Sequence, residues 1–201
     1  MDYRDAIDIL RYHAAVFYRH GWMLGTGGNM SIRTDEGFVI TASGRHKGEL
    51  APGDFVRCDD EGTAHATDPT PSAETSVHQA IYRTRPNAGA VYHVHDVHAA
   101  LCSERDAAEG ATTLPDIEMR KGLGIAPDAG AAQVPIISNH DHVPEIATDV
   151  EEYLAGQPRA LLPAVNGRGH GAYVWGPTPN AARRHIECLA YLFEFSWKSG
   201  G

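Results

Sequence analysis

The sequence has little that would build an extracellular scaffold, a membrane span or a nucleic-acid surface. Its three cysteines are an odd number without a CxxC pair, which favours reduced thiols over a disulfide framework. No apolar run approaches the roughly 20 residues of a membrane helix, and the first residues carry charges where a signal peptide would be apolar. A formal net charge of −9 leaves no basic surplus for a nucleic-acid backbone. We therefore expect a soluble, cytoplasmic protein.

The hydrophobic patterns predict one domain over residues 1–201, because the chain can bury a core and contains no repeat or linker. Helices are predicted over 3–20, 73–85 with Ser72 as its start signal, 116–123, 143–154 and 179–197. Strands are predicted over 38–42, 55–58, 88–95, 134–138, 159–165 and 172–176, and a loop over 107–113. Strands joined by short loops favour an α/β domain with a mixed sheet. The loop GTGGN lacks the GxGxxG spacing and follows no strand, so a dinucleotide-binding fold is disfavoured.

Twelve histidines are the unusual feature of the composition. His93 and His95 are separated by one residue in a predicted strand, so both rings lie on one face and can converge on one ion. His170 has a glycine on each side, which lets the backbone approach closely and leaves the ring uncovered. Three histidines with one open position are typical of a catalytic zinc site.

A second HxH pair, His140 and His142, competes for the metal-binding role. Spacing alone does not distinguish the two pairs. We favour His93 and His95 because they lie in a predicted strand, whereas NHDH is typical of a loop before a helix. The remaining histidines are expected to be structural or exposed: His13, His20, His46, His65, His78, His98 and His185.

Five segments in order, GTGGNMSIR, VITASGRHKG, PSAETSVHQAIYR, AGAVYHVH and GRGHGAYVWG, resemble the class II aldolase/adducin superfamily. Within it, SGRHKG, IEMRKG, RGHGAYVWG and RRHIECLAYL are similar to the dehydratases that act on 5-methylthioribulose 1-phosphate in methionine salvage. The resemblance implies a three-layer α/β/α sandwich with a central mixed, largely antiparallel sheet. It also implies a homotetramer with active sites at subunit interfaces. The net charge and the lack of a long apolar run predict no nucleic-acid or membrane partner.

The same resemblance implies one Zn²⁺ per subunit on His93, His95 and His170, although three imidazoles also accept other divalent ions. The implied reaction is dehydration of 5-methylthioribulose 1-phosphate to 2,3-diketo-5-methylthiopentyl 1-phosphate. The segments SNHDH, DVHAA and GTGGNM depart from the dehydratase pattern near the expected pocket. These departures leave the sulfur or alkyl substituent of the substrate open.

Residue by residue, the resemblance assigns phosphate binding to Gly28, Asn29, Ser43, Gly44 and Ser72. Small residues with hydroxyl and amide groups can surround an anion without a basic patch. Glu74 matches an acidic residue beside the metal, and it is also a carboxylate favoured by the start of a helix, so both interpretations can hold at once. Glu118 matches a catalytic acid/base, and Lys121 could lower its pKa or bind substrate. On the residues alone, an exposed ion pair is the other interpretation of these two.

Two alternatives remain at this point. One is a sugar-phosphate aldolase, or a related decarboxylase, that acts through the same metal-stabilised enediolate. Such aldolases carry tyrosines that protonate the leaving aldehyde, and the segment between Ser103 and Val134 contains none. The other is a non-catalytic, adducin-like interaction domain, which has no need for three suitably placed histidines.

Overall fold

The computed structural model describes residues 1–126, 129–157 and 162–200, and within them eight strands form one sheet. The strands are β1 (Asn29–Thr34), β2 (Gly37–Thr41), β3 (Phe55–Cys58), β4 (Ala90–Val94), β5 (Ala111–Thr113), β6 (Gln133–Ile137), β7 (Ala164–Gly167) and β8 (Gly171–Gly176). Their order in the sheet is β3-β2-β1-β4-β8-β7-β6-β5. Neighbouring strands are antiparallel, except that β6 and β7 are parallel. The predicted mixed, largely antiparallel sheet is confirmed.

Helices cover both faces of the sheet. They are α1 (Tyr3–Arg19), α2 (Thr75–Thr84), α3 (Val97–Arg105), α4 (Val143–Gly156) and α5 (Pro179–Lys198), with a 3₁₀ helix at Glu118–Leu123. Helices α1, α3 and α5 share one apolar core with the sheet, and α2 and α4 share a second core on the opposite face. Strand β4 alternates between the two cores, because Tyr92 packs in the first and Val91 in the second. The three-layer α/β/α prediction is therefore confirmed.

Two segments differ from the secondary structure that the sequence predicts. The sequence pattern predicts no helix at α3, although Asp96 begins this helix by accepting a hydrogen bond from the Ala99 N–H. The pattern predicts a loop over 107–113, yet the end of that segment forms β5 and pairs with β6. Both elements are short, and a short element is defined by its partners more than by its own periodicity.

Three predicted boundaries also shift. Ser72 does not begin α2, because its N–H bonds to the Thr41 carbonyl and extends the pairing beside β2. Strand β4 ends at Val94, because the His95 N–H bonds to the carbonyl of Trp22. The predicted strand 159–165 is observed as Ala164–Gly167, and its residues 159–161 lie outside the described residues.

The three cysteines, Cys58, Cys102 and Cys188, are free and buried, which agrees with the prediction of reduced thiols. Among the described residues, no helix combines the length and apolar character that crossing a membrane requires.

The free energy of unfolding is expected to fall as pH is lowered from about 6.5 towards 4, because of the buried ring of His13. The His13 ring is 2% exposed, and its Nδ1 lies 2.8 Å from the Tyr92 hydroxyl. Burial, assisted by the charge of Arg183, lowers the pKa of His13 from 6.5 to about 4. Between pH 6.5 and 4 the unfolded chain binds more protons than the folded one. The contribution of His13 to the free energy of unfolding is therefore fully present above pH 6.5 and is lost as pH falls towards 4. The loss from this ring is at most roughly 3 kcal/mol.

Denaturant unfolding of a His13→Gln variant at several pH values tests this prediction. Glutamine can still meet the Tyr92 hydroxyl but does not titrate, so the dependence of unfolding free energy on pH should become shallower by up to one proton. His142→Gln is the control, because the side chain of His142 is 70% exposed. Equal slopes for His13→Gln and the parent protein would contradict the prediction.

Candidate metal centre

Three histidine side chains converge at one edge of the central sheet. The Nε2 atoms of His93 and His95 are 2.9 Å apart, and those of His93 and His170 are 3.3 Å apart. One nitrogen from each of the three rings lies within 4.8 Å of the others. His93 is fully buried, whereas the side chain of His170 is 18% exposed, so the cluster is reachable from solvent. The structure thus brings together the three residues that the sequence predicts as metal ligands.

Strands β4 and β8 orient the ring of His93. His93 pairs with Tyr173 across these strands, and the two rings stack at 4.0 Å. The Nδ1–H of His93 donates to the Ala172 carbonyl at 3.1 Å. With the proton on Nδ1, the neutral ring presents the lone pair of Nε2 to the cluster, which is the tautomer that a metal ligand needs.

The loop that carries His170 is held by α3, the helix that the sequence pattern does not predict. The Gly169 N–H donates to the Ser103 hydroxyl at 2.9 Å, and the Asn166 amide donates to the carbonyl of Ala99 at 2.8 Å. Gly171 has a φ of +152°, and a side chain there would place its Cβ 2.2 Å from the carbonyl oxygen of Val94. Only glycine therefore lets β8 begin this close to the end of β4.

The surroundings of His93 and His95 favour the neutral form of these two rings. Burial, with the charge of His170 as the next cause, lowers the pKa of His93 well below its ordinary value and lowers that of His95 as well. The Nε2 lone pair of His93 faces the Nε2 atoms of both His95 and His170 and can accept a hydrogen bond from only one of them. A cation between them would resolve this conflict. Three imidazole nitrogens with an open side therefore fit a tetrahedral divalent ion with one exchangeable position.

Glu74 lies beside the same histidines. Its Oε2 is 3.4 Å from the Nε2 of His93, and its Oε1 is 3.4 Å from the Nε2 of His170. Glu74 precedes the first turn of α2 but makes no side-chain cap there, so the carboxylate is free to turn towards the cluster. Glu74 therefore lies beside the histidine cluster and also at the start of α2, so the two interpretations of the sequence hold together.

Of the residues with predicted phosphate contacts, Asn29 begins β1 and the other four lie on loops. The Ser43 N–H bonds to the Thr70 carbonyl, and the Ser72 N–H bonds to that of Thr41, so the two serine-bearing segments run side by side. Gly44 has a φ of +67° and an exposed backbone. A Cβ on Gly28, whose φ is +71°, would lie 2.8 Å from the His93 carbonyl oxygen, so the glycine-rich loop packs against β4.

Glu118 and Lys121 do not join the histidines within this chain. Both lie on the 3₁₀ helix, which packs against α5. The side chain of Glu118 is 83% exposed, and its Oε1 accepts from the Lys121 ammonium at 2.8 Å. Among the described residues, no hydrogen bond or ion pair connects Glu118 to the cluster. The exposed ion pair considered from the sequence is thus present.

The competing pair of histidines binds acidic side chains instead. The Nε2 of His140 is 2.8 Å from the Asp149 carboxylate, and its Nδ1 is 3.3 Å from that of Glu145. Hydrogen bonding to Asp149 raises the pKa of His140. His142 lies 3.7 Å from Glu145 and is largely exposed. In the part of the chain that the structure describes, the cluster of His93, His95 and His170 is the one group whose spacing suits a metal ion.

With this geometry established, comparison with known proteins identifies the family. The model of the class II aldolase and adducin N-terminal domain matches residues 9–197. The chain belongs to this family. It is 43% identical over 187 residues to methylthioribulose-1-phosphate dehydratase from Microcystis aeruginosa, with 90% of each chain covered. It is 37% identical over 198 residues to the protein of the same name from Marinobacter nauticus, with 93% of this chain and 94% of that protein covered.

A solved structure of the family shares the fold. The structure of L-fuculose-1-phosphate aldolase from Thermus thermophilus superposes with a TM-score of 0.75 at 26% identity, with 96% of each chain covered. Class II aldolases depend on a metal, and the histidine cluster of this chain is a group that could bind one.

Two buried residues near the centre were not singled out from the sequence, Lys47 and His78. The Lys47 ammonium donates to the carbonyl of Thr26 at 2.9 Å and to that of Arg45 at 2.8 Å, so it ties the glycine-rich loop to the turn SGRHKG. Burial lowers the pKa of Lys47 to about 8, and the charge of Glu74 opposes this shift. A lysine in a polar turn gives no local signal of burial, because its partners are carbonyls that the fold brings to it.

Proposed function

We propose that this chain dehydrates 5-methylthioribulose 1-phosphate to 2,3-diketo-5-methylthiopentyl 1-phosphate, a lyase reaction of methionine salvage. The single observation that carries the proposal is the convergence of His93, His95 and His170 beside Glu74. Relatives named methylthioribulose-1-phosphate dehydratase, which match over about nine tenths of the chain, support the choice of substrate.

The proposed cofactor is one zinc ion per subunit, held by the same three histidines. Three imidazoles and an open position suit zinc, although other divalent ions also bind nitrogen ligands. When bound, such an ion polarises the substrate carbonyl and stabilises the negative charge that develops as the neighbouring carbon loses its proton. The hydrogen bond from His93 to the Ala172 carbonyl keeps that ring in the ligating tautomer.

Glu74 is proposed as a catalytic residue next to the ion. Its carboxylate accepts a hydrogen bond from a substrate hydroxyl at this position and holds that proton during the reaction. The dehydration balances without an oxidant: C3 loses a proton, C4 loses its hydroxyl as water, and the resulting enol becomes the second ketone. A second acid/base is required at C3 and C4, and Glu118 is proposed for this role.

The phosphate of the substrate is proposed to bind where the glycine-rich loop meets the two serine-bearing segments. The proposed contacts are Gly28, Asn29, Ser43, Gly44 and Ser72. Lys47 supports this site indirectly, because it holds two of the loops together through their carbonyls. Holding the phosphate at one end orients the reacting carbons at the other, so binding energy contributes to the rate.

Glu118 and Lys121 are proposed to reach the substrate from a neighbouring subunit of a homotetramer. Their exposure in one chain supports this arrangement, because the open cavity that Glu118 and Lys121 line contains none of the three histidines. Apolar side chains are also exposed on α1 and α5, as expected of surfaces that pack in an oligomer: Tyr12, Tyr191, Phe195 and Trp197. Lys121 would then bind substrate while Glu118 transfers protons.

We further propose that residues 1–201 form one such domain, that the protein acts in the cytoplasm, and that it has no nucleic-acid or membrane partner. The family match over residues 9–197 supports the first point, and the free, buried cysteines support the second. The net charge of −9 supports the absence of a nucleic-acid partner.

Incubation of the zinc-loaded protein with 5-methylthioribulose 1-phosphate and a panel of sugar phosphates tests the proposed reaction. We expect loss of water and formation of the diketone phosphate, with inorganic phosphate acting as a competitive inhibitor. Cleavage of a panel member to an aldehyde and dihydroxyacetone phosphate, without diketone, would establish the aldolase instead. A folded protein that binds no zinc despite intact histidines would favour an adducin-like interaction domain.

A further inference from the structure

A buried chain of four hydrogen bonds runs from the core to the carboxylate of Glu74. The Tyr82 hydroxyl lies 2.9 Å from the Ser31 hydroxyl, which lies 2.7 Å from Nδ1 of His78. The Nε2 of His78 is 2.6 Å from Oδ1 of Asn29. The amide nitrogen of Asn29 donates to Oε2 of Glu74 at 2.7 Å. Ser31 and His78 are fully buried, and this series of hydrogen bonds ends at the candidate metal centre.

The direction of every bond in this chain follows from chemistry. An ionised Glu74 can only accept, so the NH₂ group of Asn29 faces it and the amide oxygen faces His78. His78 must therefore donate from Nε2, which leaves Nδ1 to accept from Ser31, and the Ser31 oxygen then accepts from Tyr82. Burial lowers the pKa of His78 to about 4, which agrees with a neutral ring that donates once and accepts once. All four donors thus point towards the carboxylate, and such chains strengthen cooperatively.

The fold explains why these side chains meet. His78 lies four residues after Glu74, so both occupy the same side of α2, facing the sheet. Asn29 begins β1 and pairs with His93 of the neighbouring strand β4. This pairing places the Asn29 amide between α2 and the histidine cluster. Among the described residues, the Asn29 amide nitrogen donates to Glu74 alone, so its second N–H is available to the proposed substrate phosphate. Asn29 can therefore contact both the phosphate and Glu74.

We propose that His78 is a positioning residue, which acts through Asn29 to hold the carboxylate of Glu74 between His93 and His170. This inference rests on the proposed function and extends it to a residue that does not touch the metal or the substrate. Without the N–H of His78, the Asn29 amide can rotate and the Glu74 carboxylate loses its fixed orientation. The position of a catalytic carboxylate affects turnover more than substrate binding.

The test compares His78→Leu with His78→Gln, because a glutamine amide can replace the Nε2–H donor and leucine cannot. For His78→Leu we expect kcat to fall by about 10- to 100-fold, with KM changed less than about threefold and one zinc per subunit retained. His78→Gln should recover most of the lost kcat. The visible absorption of the cobalt(II)-substituted protein should change in the leucine variant and return towards that of the parent in the glutamine variant.

His185→Leu is the matched control, because this buried histidine bonds to the Trp175 carbonyl and has no link to Glu74. The His185→Leu variant should have a lower free energy of unfolding but an unchanged kcat per folded subunit. Equal effects of the two leucine variants, or an unchanged kcat in His78→Leu, would overturn the proposal. If His78→Leu does not fold, His78→Met is a second side chain without an N–H donor and should lower kcat in the same way, and an unchanged kcat there also overturns the proposal.

The two proposals fail in different ways. If the parent protein does not dehydrate 5-methylthioribulose 1-phosphate, the proposed function is wrong. The cobalt spectra of the His78 variants then still decide whether the chain of hydrogen bonds orients Glu74. If the parent protein is active and neither kcat nor the cobalt spectrum responds to His78→Leu, the positioning role alone is wrong.

Discussion

Replacing His170 with alanine is expected to remove the bound zinc and to lower kcat/KM by about 1,000-fold or more, which corresponds to about 4 kcal/mol of transition-state stabilisation. Two imidazoles, His93 and His95, remain, but a catalytic zinc site ordinarily has three protein ligands. The fold should persist, because the ring of His170 is partly exposed and lies on a loop held by Ser103 and Glu104. Zinc content per folded subunit, steady-state rates and a thermal melt together check this prediction.

The control for this substitution is His142→Ala, which changes the exposed member of the other HxH pair. Because His142 lies against Glu145 on the surface, its loss should leave zinc content and kcat/KM unchanged. Full zinc occupancy and activity in His170→Ala would remove this residue from the centre. Loss of zinc in His142→Ala would show that the second pair binds the ion, contrary to the geometry of the cluster.

The sequence predicts the histidine cluster because the relevant signal is local. Residues two apart on a strand share a face, and a histidine between two glycines is uncovered, so each half of the site can be recognised within a few residues. How the two halves meet is not local, since it depends on β8 pairing with β4. The register of that pair, with His93 opposite Tyr173, follows from the topology of the sheet.

Helix α3 shows what a pattern of apolar residues does not reveal. Its nine residues, Val97–Arg105, include few buried side chains, so their periodicity is weak. The helix is stabilised instead by its cap, Asp96, and by contacts with β7, β8 and α5. An aspartate followed by VHAAL is a recognisable helix start, and this local signal could have indicated α3. Failing to predict α3 also affects the description of the site, because α3 holds the loop that carries His170.

The supporting residues could not be predicted for a related reason. His78 and Lys47 act through partners 49 and 21 residues away along the chain. Their roles depend on which amide and which carbonyls the fold places beside them, and one sequence contains no record of such contacts. The candidate ligands are therefore easier to predict than the residues proposed to orient the site.

Replacing Glu118 with glutamine is expected to lower kcat by about 100-fold or more while zinc and substrate binding persist. Glutamine keeps the size of the side chain and a partner for Lys121 but can neither take up nor release a proton at neutral pH. Because the Glu118 side chain is 83% exposed, the substitution should leave the thermal melt unchanged. Turnover equal to that of the parent protein would remove Glu118 from the mechanism. Glu109→Gln, which changes another exposed glutamate, is the control and should leave kcat unchanged.

Mixing inactive subunits shows which chain supplies Glu118. If a site combines the histidines of one subunit with Glu118 of its neighbour, co-expressed Glu118→Gln and His170→Ala chains regain activity. Random mixing in a symmetric tetramer gives an intact pair at about one quarter of the sites, so roughly that share of the parent activity is expected. If Glu118 served the histidines of its own chain, no mixed tetramer would contain an intact site, and activity would stay at the level of the single variants. The exposed position of the 3₁₀ helix favours the first result, because in one chain Glu118 contacts Lys121 and solvent but none of the three histidines.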